Sequence, residues 1–192
     1  KGLPMYPFVR MWKELRKFRH APPLPILGTH VSRHRCWPWD LDPWVELNNG
    51  RTLTLYDMGR LPLGMRTGLH RMLKAQGWGM TVAGNTVRYR RRVRGMDVVT
   101  MRSRCIGWDH RFLYIEQSMW KGDDCTSQQV IRSAITSKDG IVAPALMLRA
   151  MTSLAAPDLH TLFALHAEAR GSRMDTPEQA DTLFGLSEGI TP

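Results

Sequence analysis

The sequence predicts an α+β domain in which a curved antiparallel sheet wraps around one long helix. Apolar residues recur at helical spacing over 49–76, whereas later segments alternate apolar and polar residues and are joined mostly by short connections. Neighbouring strands with short connections most simply form an antiparallel sheet. A helix that must bury an apolar face then has this sheet as its only large partner.

The first 25 residues are predicted to form a basic arm or helix ahead of the domain. Within residues 6–19, Met11, Trp12 and Leu15 recur at helical spacing among five basic residues, and prolines at 22, 23 and 25 end any helix. The simpler interpretation is a solvated arm or a helix packed on the domain. The alternative is a basic amphipathic segment in peripheral contact with an anionic membrane surface.

The domain itself is predicted over residues 26–144, beginning with a strand over 26–39. The long helical segment follows over 49–76, where Pro62 is expected to kink the helix or start a second helical piece, and Gly77 is a natural stop. The next predicted strand covers residues 78–90.

The pattern then alternates along a half-buried strand, with Val99, Met101, Ser103 and Cys105 on one side and Thr100, Arg102 and Arg104 on the other. Residues 107–110 and 121–124 have turn composition, and they separate further strands over 112–120 and 128–136. Residues 145–192 are expected to hold short helices over 145–154 and 157–169, followed by a loosely ordered acidic tail.

Composition restricts the class of protein. The chain has 192 residues, of which 43% are hydrophobic and 23% charged, as in globular proteins, and no apolar run approaches the ~20 residues of a membrane span. A net charge of +10 indicates an anionic partner, namely nucleic acid, a phospholipid surface or a phosphorylated small molecule. Three cysteines without Cys-x-x-Cys spacing argue against a disulfide framework and favour the reducing cytoplasm.

The most informative stretch is residues 40–51, Asp-Leu-Asp-Pro-Trp-Val-Glu-Leu-Asn-Asn-Gly-Arg, between the first strand and the helix. Taken alone, these short polar side chains are typical of a loop and a helix N-cap. A carboxylate beside a helix N-terminus also suits catalysis, because the terminal N–H groups polarise a carbonyl while the carboxylate activates water or attacks directly. Both interpretations remain open on composition.

This stretch resembles the signature Asp-x-Asp-x-x-Gly-His-Val-Asn-Asn of the 4-hydroxybenzoyl-CoA thioesterase family of hotdog-fold proteins. The matching positions are Asp40, Asp42, Asn48 and Asn49. Residues 89–99 also resemble the second strand, turn and third strand of that family, so the similarity covers about 26–144. Within the family, the sequence is similar to the subgroup of thioesterase superfamily member 6.

The resemblance implies a hotdog fold, a homodimer or dimer of dimers with active sites at the interface, and hydrolysis of an acyl-CoA thioester without a cofactor. It assigns Asp42 as general base or nucleophile, while Asn48 and Asn49 shape the loop and the start of the helix. Backbone N–H groups near Asn49, Gly50 and Arg51 would bind the thioester oxygen.

Two positions depart from the family signature. Val45 stands where the signature has glycine, which removes easy access to positive backbone dihedrals. Glu46 stands where it has histidine, which places a second acid near Asp42 that raises one pKa or serves as the working base instead.

Further substrate-binding candidates lie outside the loop. Asp57 is one, because some hotdog enzymes carry the carboxylate on the helix, although an i,i+3 pair with Arg60 is the simpler interpretation. The densest basic cluster is Arg88, Arg90, Arg91, Arg92 and Arg94. If the strand persists through it, alternate spacing places Arg88, Arg90 and Arg92 on one face. This cluster is either a solvated, charged strand edge or a site for the phosphates of CoA.

Other residues give weaker signals. His30, His34 and Cys36 alternate in a spacing compatible with zinc, but without a further ligand pair no metal site is predicted. Three tryptophans bracket the acidic loop, where they pack in the core or line an acyl tunnel: Trp37, Trp39 and Trp44.

Three functions follow in order of preference. The first is an acyl-CoA thioesterase, and the second is a hotdog protein that binds acyl-CoA or lipid without catalysis, as the departures at Val45 and Glu46 suggest. Nucleic-acid binding comes last and is not expected, because the sequence contains neither an RNP motif nor a zinc-finger pattern.

Overall fold

The computed structural model describes residues 7–154. The helix predicted over 157–169 and the predicted acidic tail lie outside these described residues. Two compact units divide the chain, residues 1–147 and 148–192, and the described part of the second unit is the end of one helix. The domain boundaries predicted at residues 26 and 144 stay predictions.

Helices and strands follow one another in the predicted order. The helices are α1 (Phe8–Lys17), α2 (Asn49–Arg66), α3 (Leu69–Gln76) and α4 (Pro144–Leu154), and a short 3₁₀ turn covers Pro38–Asp40. The strands are β1 (His30–Arg35), β2 (Gly79–Tyr89), β3 (Val98–Trp108), β4 (Phe112–Lys121), β5 (Asp124–Ser137) and β6 (Gly140–Val142). Within residues 7–154, no helix combines the length and apolar content that a bilayer span needs.

The strands form one antiparallel sheet in the order β1-β3-β4-β5-β2, with β6 paired to β5. Helix α2 packs on this sheet and contacts β1 and β3. The predicted curved antiparallel sheet around a helix is therefore confirmed. The alternation along β3 is confirmed as well, since Val99, Met101 and Ser103 are buried while Arg102 and Arg104 are exposed.

Pro62 does not start a second helical piece, which was one of its two predicted effects. It is buried inside α2, and the break between α2 and α3 falls at Gly68, whose φ of 77° is left-handed. Glycine adopts this conformation at little cost, so the chain turns there rather than at the proline. Gly77 ends α3 with a φ of 64°, as predicted.

Several strand ends also differ from the prediction. Strand β1 is shorter than 26–39, because Gly28 N–H donates to the Pro25 carbonyl in a turn before it and Pro38 starts the 3₁₀ turn after it. Strand β5 begins at Asp124, since Gly122, with a φ of 59°, lets the preceding turn close tightly. Strand β6 was not predicted, because three residues are too short to show alternation.

The core under α2 depends on one close approach. Tyr56 and Met58 of α2 are fully buried with Met101 and Met119 of the sheet. A Cβ atom at Gly59 would overlap the Met101 sulfur and lie 2.8 Å from Ser103 Oγ. Glycine therefore sets the distance between α2 and β3, and with it the position of the N-terminus of α2.

Candidate active site

Asp40 holds the loop between β1 and α2 in place. Its buried carboxylate accepts hydrogen bonds from Arg10 Nη1 at 2.8 Å and from the Trp37 backbone N–H at 3.0 Å, and Arg10 also donates to the Arg35 carbonyl. The first aspartate of the signature is thus an ion-paired anchor between α1 and the loop. This matches the interpretation that it shapes the structure.

Asp42 closes a tight turn within the same loop. Its Oδ1 atom accepts hydrogen bonds from Trp44 N–H at 2.9 Å and Glu46 N–H at 3.2 Å, and its own N–H donates to the Glu46 carbonyl at 2.8 Å. Val45 sits in this turn with a φ of 61°. A β-branched residue rarely adopts that conformation, so Val45 retains the backbone geometry that a glycine would have there.

The N-terminus of α2 is capped by Asn48. Its Oδ1 atom accepts the backbone N–H of Gly50 at 2.8 Å and that of Arg51 at 3.2 Å. These two N–H groups are therefore not available to a thioester oxygen, which corrects part of the prediction. Among the described residues, the N–H of Asn49 donates to no protein acceptor, so it is the remaining donor at the start of this helix.

A pocket of about 190 Å³ opens beside this helix N-terminus. Glu46 and Asn49 line it from one side, and Tyr89 donates a hydrogen bond from its hydroxyl to the Asn49 carbonyl at 3.4 Å. Ser127 also lines it and is hydrogen bonded to the buried Tyr56 hydroxyl at 2.8 Å. Burial raises the pKa of both tyrosines, so both are neutral hydrogen-bonding groups near pH 7.

Glu46 is the carboxylate that lines this pocket. Its side chain is 25% exposed and its Oε1 atom lies 3.0 Å from Arg92 Nη1. Asp42 is not among the residues that line the pocket, although its turn positions Glu46. The loop thus brings one of the two predicted carboxylates to the helix N-terminus.

The arginine cluster follows a turn rather than a strand. Strand β2 ends at Tyr89, and the N–H groups of Arg90 and Arg91 both donate to the Thr126 carbonyl, at 2.9 and 3.0 Å. The strand therefore does not persist through the cluster, and the single face that its continuation would give Arg88, Arg90 and Arg92 is not formed.

Two wider cavities, of about 590 and 500 Å³, adjoin the cluster. Arg90 and Arg91 line both of them and also the pocket at α2, whereas Arg88 lines only the larger one. Arg91 was predicted only as a member of the basic cluster and not among the residues singled out for binding substrate. The turn brings it to all three cavities, and its membership of the basic run was the only signal in the sequence.

Other predicted residues lie elsewhere. Asp57 forms an ion pair with Arg60, as the i,i+3 spacing predicts, and lines none of these cavities. Trp39 and Trp44 are exposed, so the prediction that they pack in the core is wrong, and neither lines the pocket at α2. Trp37 stacks on Trp39 with ring centroids 5.3 Å apart.

The residues with zinc-like spacing have other partners. His34 Nε2 lies 2.7 Å from Ser32 Oγ, and His30 Nδ1 lies 3.1 Å from Arg66 Nη1. Burial lowers the pKa of His30 to about 4 and that of His34 to about 3. In the described part of the chain, no three histidine, cysteine or acidic side chains come together as metal ligands.

Residues 36–146, more than half of the chain, match the family model of the thioesterase-like superfamily. The chain belongs to the thioesterase-like superfamily. The matched range contains the acidic loop, helix α2, the arginine cluster and strands β2 to β6.

The chain is similar to Protein THEM6 of Xenopus laevis, 33% identical over 116 residues, and to Protein THEM6 of Danio rerio, 32% identical over 107 residues. These alignments cover 60% and 56% of this chain and 56% and 53% of the relatives. The chain thus spans about half the length of the curated relatives it matches.

Solved structures show the same fold. YbaW probable thioesterase from Escherichia coli is 16% identical with a TM-score of 0.59, and 64% of this chain covers 98% of that one. DHNA-CoA thioesterase from Staphylococcus aureus is 12% identical with a TM-score of 0.58, covering 76% of this chain and 97% of that one. At these identities the likeness shows the fold alone, and the predicted hotdog fold is confirmed.

Proposed function

We propose that this member of the thioesterase-like superfamily hydrolyses an acyl-CoA thioester in the pocket at the N-terminus of α2. The observation that supports this most strongly is the pairing of an unused backbone donor with an acid. Asn49 N–H and the Glu46 carboxylate belong to residues that line the same pocket. Addition to a thioester needs both a donor for the carbonyl oxygen and a base or nucleophile.

In the proposed reaction, the thioester oxygen accepts a hydrogen bond from Asn49 N–H, and the positive end of the α2 dipole stabilises the charge that develops there. A carboxylate removes a proton from water as the water oxygen bonds to the carbonyl carbon. The carbon–sulfur bond then breaks, and the CoA thiolate leaves and takes up the proton. The products are the free acid and CoA.

Two carboxylates remain candidates for the base. The family resemblance assigns the role to Asp42, whereas its Oδ1 atom already accepts two backbone N–H groups. Glu46 lines the pocket, and Arg92 Nη1 lies 3.0 Å from its Oε1 atom. We favour Glu46 as the base in the single chain and Asp42 as the residue that shapes its loop.

The nucleotide end of CoA is proposed to bind the arginine cluster. The two wider cavities next to the pocket are lined by Arg90 and Arg91, and the larger of them also by Trp120. Guanidinium groups match phosphate oxygens in pairs, and an indole ring stacks on an adenine.

A homodimer is proposed to form through the open edge of β2. In the described sheet, β2 pairs with β5 alone, and Arg88 is the single charged residue among its eleven. Edge strands that face solvent are usually protected by charge, so this edge suits pairing with a second copy. Val82 and Tyr89 on this strand are exposed in the single chain and would be covered by the partner.

The second candidate is an acyl-CoA or lipid-binding protein without catalysis. Its support is that Asp42 and Glu46 are both engaged, one by backbone N–H groups and one by Arg92, and that Asn48 occupies two of the helix donors. Such a protein would bind the thioester without cleaving it.

Release of free thiol from short, long and aromatic acyl-CoAs separates the two candidates, with the melting temperature measured alongside. Thioester hydrolysis predicts turnover of at least one substrate. If acyl-CoA raises the melting temperature and no substrate releases thiol, the binding protein is the correct description and the hydrolase is not. If acyl-CoA is not hydrolysed and does not raise the melting temperature, both candidate functions are refuted.

A further inference from the structure

Helix α1 is held to the protein by one face. Met11 is buried in the core cluster with Cys36 and Leu55, and Arg10 is ion-paired to Asp40 at 2.8 Å. Phe18, just after the helix, packs edge-on against the His30 ring at 4.5 Å. These contacts fix which side of the helix faces outward.

The outward side combines large apolar side chains with cations. Phe8, Val9 and Trp12 are 63%, 69% and 57% exposed. The exposed basic residues of this segment are Lys13, Arg16, Lys17 and Arg19. Glu14 is the single acid of the helix, and its Oε2 atom is buried, so the basic charge dominates outside.

We propose that this surface, defined by Phe8, Val9, Trp12 and the four exposed basic residues, docks on an anionic phospholipid membrane. Helices with aromatic and aliphatic residues on one part and lysine and arginine on another lie in the headgroup region of a bilayer. The apolar residues insert between lipids while the cations meet lipid phosphates and carboxylates. The Arg16 guanidinium, 5.2 Å from the Trp12 ring centroid, links the two parts.

The loop beside α1 extends the same kind of surface. The ion pair between Arg10 and Asp40 links α1 to this loop. Val9 directly precedes Arg10 and Trp39 directly precedes Asp40, and both Val9 and Trp39 are exposed. Trp44 is 77% exposed at the turn that leads to Glu46. Exposed tryptophans are typical of proteins at membrane interfaces.

Lipid fits this surface better than nucleic acid does. Single-stranded nucleic acid recruits aromatic rings for base stacking, and an exposed Val9 adds nothing to that contact. Aliphatic and aromatic side chains together gain from burial in a bilayer, where apolar area is removed from water. The proposal does not depend on catalytic activity.

Flotation of the full chain with vesicles tests the proposal. We expect binding to vesicles of phosphatidylcholine mixed with phosphatidylserine, and much weaker binding to phosphatidylcholine alone. Lys13→Glu with Arg19→Glu should lower the partition coefficient by roughly tenfold or more, because each basic residue near an anionic surface contributes about a fivefold factor. Arg71→Glu with Lys138→Glu is the control, because it makes the same change in net charge at exposed residues outside α1. Its vesicle binding should stay close to that of the unmodified chain, with only the small decrease that the lower net charge causes.

A second pair of variants tests the apolar residues. Phe8→Ser with Trp12→Ser should lose most vesicle binding, whereas Val31→Ser with Ile141→Ser removes similarly exposed apolar residues from β1 and β6 and should keep it. Unfolding midpoints establish that every variant is folded. Equal binding to neutral and anionic vesicles, or equal binding by the α1 variants and their controls, would overturn the proposal. So would binding to single-stranded RNA without binding to the mixed vesicles.

Discussion

Among single side chains, Asp42 and Glu46 compete for the role of base. Glu46→Gln removes the carboxylate that lines the pocket, so we expect kcat to fall by about 10²-fold or more, the usual contribution of a positioned base. Asp42→Asn retains an acceptor for the turn and should reduce kcat less. Asp139→Asn, in the exposed turn before β6, is the control and should leave turnover unchanged.

Free-thiol release at matched folded concentration measures these rates. The reverse order, with Asp42→Asn inactive and Glu46→Gln active, would return the role to Asp42 and indicate that a second copy of the chain completes the site. Sequence reasoning assigned the role to Asp42 and kept Glu46 as the substitute, whereas Glu46 is the one of the two that lines the pocket. Which one reaches the pocket depends on the turn at Val45 and on the ion pair with Arg92, and both are tertiary features.

The buried histidines predict a loss of stability in mild acid. Burial lowers the pKa of His34 to about 3, below its ordinary value near 6.5, so the unfolded chain takes up a proton that the folded chain does not. The contribution of His34 is complete above pH 6.5 and is lost as the pH falls toward 3. Between pH 7 and pH 5 this histidine should lower the unfolding free energy by about 2 kcal/mol.

Urea unfolding at several pH values measures this dependence. His34→Gln keeps a polar partner for Ser32 and removes the titrating group, so its unfolding free energy should change less with pH than that of the unmodified chain. The lowered pKa of His30 leaves part of the dependence in place. An identical pH profile for the variant would contradict the role of His34.

Of the described glycines, Gly59 leaves the least room for a Cβ atom, at the contact of α2 with β3. Gly59→Ala would force apart α2 and the Met101 side chain, so we expect a loss of about 1–3 kcal/mol in the unfolding free energy. Gly64→Ala lies in the same helix with no atom near the added methyl group, and should instead stabilise by up to about 1 kcal/mol. If urea unfolding gave the same change in unfolding free energy for both variants, helix propensity alone would account for it, and the close approach at Gly59 would not contribute.

The helices and strands were predictable where local pattern and burial agree. The alternation of β3 and the stop at Gly77 are examples, since side-chain period and backbone freedom act locally. The break at Gly68 and the turn after Tyr89 were missed. The break follows the left-handed backbone of Gly68. The turn is held by Arg90 and Arg91 N–H, which donate to the Thr126 carbonyl on β5, a contact that alternation along the chain does not reveal.

For the assembled protein, the open edge of β2 predicts a dimer. Val82→Lys places a charge on the exposed part of this strand and should shift the mass in sedimentation equilibrium from dimer toward monomer. Val31→Lys changes a residue of nearly the same exposure on β1, at the other edge of the sheet, and should leave the dimer intact. Dissociation by Val31→Lys alone would place the interface at β1 and contradict the proposed edge.

The proposed function depends most directly on the donor at the start of α2. Asn49→Pro removes this N–H, while proline suits the first position of a helix and Asn48 already has the extended backbone that precedes a proline. Asn49→Ala keeps the N–H and removes only the side chain. We expect Asn49→Pro to lower kcat for acyl-CoA hydrolysis by about 10²-fold or more, and Asn49→Ala to stay near the unmodified rate. Equal rates for the two variants at equal stability would contradict thioester hydrolysis at this helix N-terminus.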